Sequence, residues 1–331
     1  MKKITILHLL IFLFYSVYAQ ENKAVSGTID FISPELYKLI NKEAKVEVLA
    51  EGFQFTEGPV WVEKDQMLLF SDVPGNTIYK WTAAVGKELY LPQAGYTDSV
   101  KRGGFMGPNG LIISNDGKLM ICQHGDRRIV MMDAPLNDPQ GKFSTVADQY
   151  NGKRFNSPND LCFAANGDLY FTDPWYGLEK GPKDPGREIT YQGVYKLDRT
   201  GRVTLLIDSI EAPNGIAVFP DGNTLLVSNS GNRNKRWYAY TIAQDGSLIN
   251  ERIFYDASNE KESGGCDGLK IDSQGNVFAT GPGGIWIFTK TGTLIGKIKI
   301  NGSIVANCAL TPDGKTVYLT ATKYLLRVKM R

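Results

Sequence analysis

From about residue 45 to the C-terminus the chain is a succession of short apolar runs, rich in Val, Ile, Leu, Phe and Tyr, separated by turns carrying Gly, Asn and Asp. Runs of this length and composition read as buried strands rather than helices. Six of them are preceded by the same polar step, an acid or an amide: Glu57-Gly58-Pro59-Val60, Asn109-Gly110-Leu111-Ile112, Asn159-Asp160-Leu161-Cys162, Asn214-Gly215-Ile216-Ala217, Asp267-Gly268-Leu269-Lys270 and Asn307-Cys308-Ala309-Leu310. After most of them come a few strand residues, a turn such as Asn115-Asp116-Gly117, Pro220-Asp221-Gly222 or Pro312-Asp313-Gly314, and a second strand. Self-similarity at roughly 40 to 55 residues predicts an all-β, six-bladed propeller with one four-stranded sheet per repeat. The first strand of each blade lines the axis, so the six polar steps are expected to form a ring around one central hole.

The last blade is one strand short, with runs at 309–311, 317–320 and 324–329. The segment Lys45 to Ala50 is the strand expected to complete it, which closes the ring and removes exposed sheet edges. Residues 45–331 thus form the propeller. Residues 20–44 precede it as an N-terminal segment in which Ser33 to Lys42 reads as a short amphipathic helix, capped by Ser33 with Pro34 at its first position. Residues 1–19 combine Met1-Lys2-Lys3, an apolar stretch from Ile4 to Val17, and the small-residue exit Val17-Tyr18-Ala19. This describes a secretory signal peptide cut near Ala19, and hence a secreted or periplasmic protein. The alternative, a membrane anchor, is disfavoured because the stretch is short and no other segment reaches spanning length.

In a propeller the end of each second strand returns to the face on which the ring residues begin. The loops expected there include Gln123-His124-Gly125-Asp126 and a long insertion from Asp173 to Gln192. Insertions of that length are functional or disordered; with Trp175, Tyr176 and Arg187 this one reads as a wall or lid, or else as a solvated Pro/Gly excursion. Tyr90 to Phe105 is expected to be a second long loop on the same face.

Composition narrows the chemistry. There are 37 basic and 35 acidic residues, so nothing calls for nucleic acid or an anionic membrane. Cys122, Cys162, Cys266 and Cys308 lie far apart without a C-x-x-C pair; buried free thiols are expected, with disulfides as the alternative. The chain has two histidines, and His124 is the one outside the signal segment. A three-histidine zinc site is therefore excluded, and neither G-x-S-x-G, H-E-x-x-H nor a P-loop is present. What the ring offers is oxygen, as two carboxylates and four amides. That set suits Ca²⁺, and Mg²⁺ or Mn²⁺ less well, rather than soft or imidazole-seeking metals; Mg²⁺, Mn²⁺ and Zn²⁺ are the alternatives in turnover. The other reading is that the amides bond to backbone groups where the blades start.

Four stretches resemble the motifs of the SMP-30/gluconolactonase/LRE-like family: Phe55-Thr56-Glu57-Gly58-Pro59-Val60-Trp61, Ser157-Pro158-Asn159-Asp160-Leu161, Ala212-Pro213-Asn214-Gly215-Ile216-Ala217 and Cys266-Asp267-Gly268-Leu269. The insertion from Phe171-Thr172-Asp173-Pro174-Trp175-Tyr176-Gly177 to Gly193-Val194-Tyr195 resembles the bacterial gluconolactonase branch. The resemblance implies a divalent cation held by Glu57, Asn214 and Asp267. It makes Asn159 either a further ligand or a contact to substrate water, and Asp267 also the catalytic base. A substrate-binding arginine of the family corresponds to Arg154 here, although Arg154 stands farther from Asn159 than in the animal members. Asn109, His124, Trp175 and Tyr176 complete the candidate substrate contacts. The activity implied is metal-dependent opening of a small sugar lactone to its hydroxy acid. The alternatives are phosphotriester hydrolysis at the same site, or a non-enzymatic, calcium-stapled carbohydrate-binding propeller.

Overall fold

The computed structural model describes residues 25–331, so the expected signal segment lies outside the described residues. Six antiparallel sheets of four or five strands follow one another around an axis, joined by a small hairpin at Gln149–Tyr150 and Lys153–Arg154. Blade six consists of Asn307–Leu310, Thr316–Ala321 and Tyr324–Lys329, and Val46–Glu51 pairs antiparallel with the last of these, Val46 opposite Val328. Val46–Glu51 is thus the fourth strand of that sheet.

The apolar runs are nearly continuous because inner strands are buried on both faces. In Met67–Asp72 every residue is buried. Leu68 and Phe70 face blade six, packing with Tyr318 and Leu325, while Met67 and Leu69 face blade two, packing with Leu111 and Ile121. The same two-residue period recurs around the ring, and the described core divides into six clusters, one between each pair of neighbouring blades.

Four elements differ from expectation. Blades one and two each have an outer strand, Gly86–Pro92 and Phe143–Ala147, that the hydrophobic pattern does not reveal. An outermost strand has one edge in solvent, and Lys87 and Glu88 dilute its apolar signal; Tyr90 therefore belongs to a strand, not to the loop expected from 90 to 105. The helix expected over 33–42 is a single 3₁₀ turn, Pro34–Lys38, in which the Glu35 N–H donates to Ser33 Oγ at 3.3 Å. Leu36 and Ile40 anchor this segment in the core between blades five and six. Finally, Ser26–Phe31 adds a fifth strand to blade five by pairing with Leu294–Asn301, a role its mixed sequence Ser-Gly-Thr-Ile-Asp-Phe hides. All four cysteines are free thiols.

Candidate active site

The ring is assembled by a repeated backbone arrangement. A hydroxyl near the end of a blade's second strand donates to the carbonyl of the next blade's ring residue: Ser71 to Asn109 at 2.8 Å, Thr172 to Asn214 at 2.7 Å, and Ser228 to Asp267. The residue after the ring position abuts the neighbouring inner strand, which explains the glycines there. A Cβ on Gly58, whose φ is +49°, would lie 1.8 Å from the Asn109 carbonyl oxygen, and one on Gly268 would lie 2.0 Å from Asn307 Cγ. In blade three this position is Asp160 instead, and its carboxylate enters the axis beneath the ring.

Five of the six ring side chains, those of Glu57, Asn109, Asn159, Asn214 and Asp267, wall one cavity of about 480 Å³. Phe55, Phe105, Tyr176 and Ile304 form its apolar sides. Asn307 is turned away. Its Nδ2 donates to Glu57 Oε2 at 3.1 Å and to Asp160 Oδ2 at 3.3 Å, and its Oδ1 accepts the Cys308 N–H at 2.8 Å. Below it Lys270 Nζ stands 3.5 Å from Asp160 Oδ2. Asp160 and Lys270 are the axial groups that sequence reasoning missed. The available signal was the interruption of the acid-or-amide-then-Gly step at residue 160.

The electrostatics favour a cation. Burial raises the Glu57 carboxyl, to about 7, and nearby Asp160 adds to the effect, against the Gly58 N–H that donates to it at 2.7 Å. Burial also raises Asp267 well above the ordinary carboxylate range, reinforced by Glu57 and Asp160, with the Asn214 amide partly offsetting them. Two buried carboxylates that oppose one another's ionisation are stabilised by a positive ion between them. In addition, Oδ1 of Asn109, Asn214 and Asp267 are buried without a hydrogen-bond partner. Unsatisfied buried oxygens are costly, and these three belong to the wall of one cavity. No three His, Cys, Asp or Glu side chains group as ligands among the described residues; the donor set here is two carboxylates completed by amides, which fits a hard, oxygen-seeking cation.

His124 is buried at the cavity floor. Its Nε2 is 3.1 Å from Asn109 Nδ2 and 3.4 Å from Asn159 Nδ2, and its Nδ1 is 3.1 Å from the Phe105 carbonyl oxygen. Burial pushes its pKa down to about 4. The 173–192 insertion reaches the site through Tyr176, whose hydroxyl lies 2.8 Å from Ser230 Oγ, which in turn is 3.3 Å from Asn214 Nδ2; beside it Trp175 N–H donates to Gln192 Oε1 at 3.1 Å. Tyr176 reaches the cavity, whereas Trp175 stacks against Arg187 and does not line it. Arg154 lies elsewhere. The hairpin carries it into a separate cavity of about 600 Å³, where it joins Arg102, Arg127 and Arg128 among Asp98, Asp126, Asp148 and Asp184. That cavity is the larger, but its charges balance and its arginines already donate to the protein, as Arg127 does to the Phe155 and Gly186 carbonyls.

Known proteins share this architecture. A gluconolactonase of Zymomonas mobilis is 37% identical over 317 residues, covering 94% of this chain and 88% of that protein. The solved structure of a Xanthomonas campestris gluconolactonase superposes with a TM-score of 0.78 at 27% identity, over 92% of this chain and 95% of the other. The structure of a calcium-binding protein, regucalcin, from Agrobacterium tumefaciens, at 18% identity, 86% and 95% coverage and a TM-score of 0.65, shares the fold. Residues 55–323, which run from the wall of the ring cavity through all six blades, match the SMP-30/gluconolactonase/LRE-like region, and the chain belongs to that family.

Proposed function

We propose that this protein is a lactone hydrolase that opens a small sugar lactone at the axial cavity, with a divalent cation, Ca²⁺ first among candidates, held by Glu57, Asn214 and Asp267 and approached by Asn109 and Asn159. The observation that carries the cation is the set of three buried, unpartnered oxygens in one cavity wall, on Asn109, Asn214 and Asp267. The full-length similarity to a gluconolactonase supports the lactone. When bound, the cation supplies Lewis-acid polarisation of the lactone carbonyl. Asp267 is the proton acceptor: it stands in the wall and its Oδ1 is uncommitted, and a bound cation would keep it ionised. As water oxygen adds to the carbonyl carbon, Asp267 takes its proton. As the ring C–O bond breaks, the same proton passes to the departing ring oxygen, and the hydroxy acid leaves. Phe55, Phe105 and Tyr176 offer faces for the C–H side of a sugar ring and restrict water. Export by a signal peptide cut near Ala19 completes the reading, with activity outside the cytoplasm.

The test is turnover by the purified protein on a panel of sugar and aliphatic lactones beside a phosphotriester. Lactone hydrolysis well above the spontaneous rate, with little phosphotriester turnover, is expected. Preference for the phosphotriester, or turnover of neither class, would reject the assignment.

A further inference from the structure

We propose that His124 is a positioning residue: it fixes the side-chain amides of Asn109 and Asn159 with their nitrogens toward its ring, and so keeps the Asn109 oxygen directed at the cation. The proposal rests on the cation reading above. It starts from Nδ1, which is 3.1 Å from the Phe105 carbonyl oxygen. A carbonyl only accepts, so Nδ1 carries the hydrogen. An uncharged imidazole has one N–H, and Nε2 is left as an acceptor. The two groups beside Nε2 are the Nδ2 atoms of Asn109, at 3.1 Å, and Asn159, at 3.4 Å. If either amide turned over, its oxygen would face a lone pair at hydrogen-bond distance. The orientation is therefore set from behind, and its counterpart is the buried Asn109 Oδ1 with no hydrogen-bond partner. Metal-site ligands are commonly held by such outer partners, whose loss typically costs 10- to 100-fold in affinity.

The imidazole is itself immobilised. His124 is 1% exposed, and its backbone N–H donates to Gly107 at 3.2 Å. Gly177, from the long insertion, lies directly over it: a Cβ there would come within 2.5 Å of the His124 Cβ and 2.7 Å of the Ser157 Cβ. Two loops thus clamp the ring, and one of them, through Phe105, also walls the cavity mouth. The order of that loop and the direction of the amide oxygens are coupled through one side chain.

The experiment is calcium titration by calorimetry on the wild type, His124→Leu and His124→Gln. Leucine removes the acceptor and leaves both amides free to turn, so affinity is expected to fall about 10- to 100-fold. Glutamine can offer Oε1 near the position of Nε2 and is expected to bind within about threefold of wild type. A folded His124→Leu with wild-type affinity overturns the proposal, as does His124→Gln binding as weakly as His124→Leu. A wild type that binds no calcium rejects the cation reading, and this proposal with it; wild-type binding with unaffected variants rejects this proposal alone. If His124→Leu does not fold, nitrogen NMR of the wild-type imidazole decides: the Nδ1–H form is required, and an Nε2–H form overturns the proposal.

Discussion

Replacing Glu57 by Gln should move cation affinity and metal-free stability in opposite directions. Both hydrogen bonds to the carboxylate, from Gly58 N–H and Asn307 Nδ2, end on Oε2. Gln keeps them through its single oxygen and so turns its NH₂ the other way, replacing an anionic donor by a group that repels a cation. An affinity loss on the order of 10²-fold, about 2.7 kcal/mol, is expected. In the metal-free protein the sign reverses. A buried carboxyl raised from 4.5 to about 7 penalises the ionised folded state by up to about 3 kcal/mol. Because the folded-state value is the higher one, the stability this group contributes is fully present below about pH 4.5. It is lost as pH rises toward about 7. Gln has no such slope, so without metal the two proteins should differ little at pH 4 and most at pH 8. There the Tm of Glu57→Gln should be higher by up to roughly 6 °C. Saturating calcium should restore the advantage to the wild type, since only a ligand bound to the folded state stabilises it. Thermal unfolding in chelator across pH 4–8, with calorimetric titration, reads both effects. Equal metal-free stabilities at every pH together with equal affinities would refute the placement of Glu57 as a charge-strained ligand.

Asp267→Asn should fold and still bind a cation, more weakly, while kcat falls about 10²- to 10⁴-fold, because the amide retains an oxygen but cannot take a proton; steady-state kinetics at saturating cation check this, and near-normal kcat would remove Asp267 as the base. Arg154→Ala should leave kcat and KM for lactones within about twofold, since Arg154 lies in the neighbouring cavity; a large rise in KM would show that substrate reaches across to it.

The ring was legible because a propeller repeats its inner-strand start: six acid-or-amide steps before apolar runs locate the axial residues without coordinates. The direction in which each side chain turns was not legible. Asn307 and Asn214 share a motif position, yet Asn307 bonds downward to Glu57 and Asp160 whereas Asn214 keeps an uncommitted oxygen in the cavity wall. Asp160 and Lys270 escaped notice because they stand one and three residues past ring positions, outside the repeated step itself. Their approach to one another, 3.5 Å across 110 residues, is a product of ring closure. Arg154 shows the converse, since five residues of sequence proximity to Asn159 are undone by a two-residue hairpin pairing, Gln149 with Arg154. Outer strands were the weakest signal, because a half-exposed edge tolerates charge.

The most direct measurement is gluconolactone hydrolysis by protein stripped with chelator, dialysed, and then titrated with calcium while acid release and bound metal are followed together. Activity above the spontaneous background is expected to disappear on stripping and to return in proportion to bound cation, saturating near one per chain. Full turnover by protein shown to hold no cation would contradict that dependence.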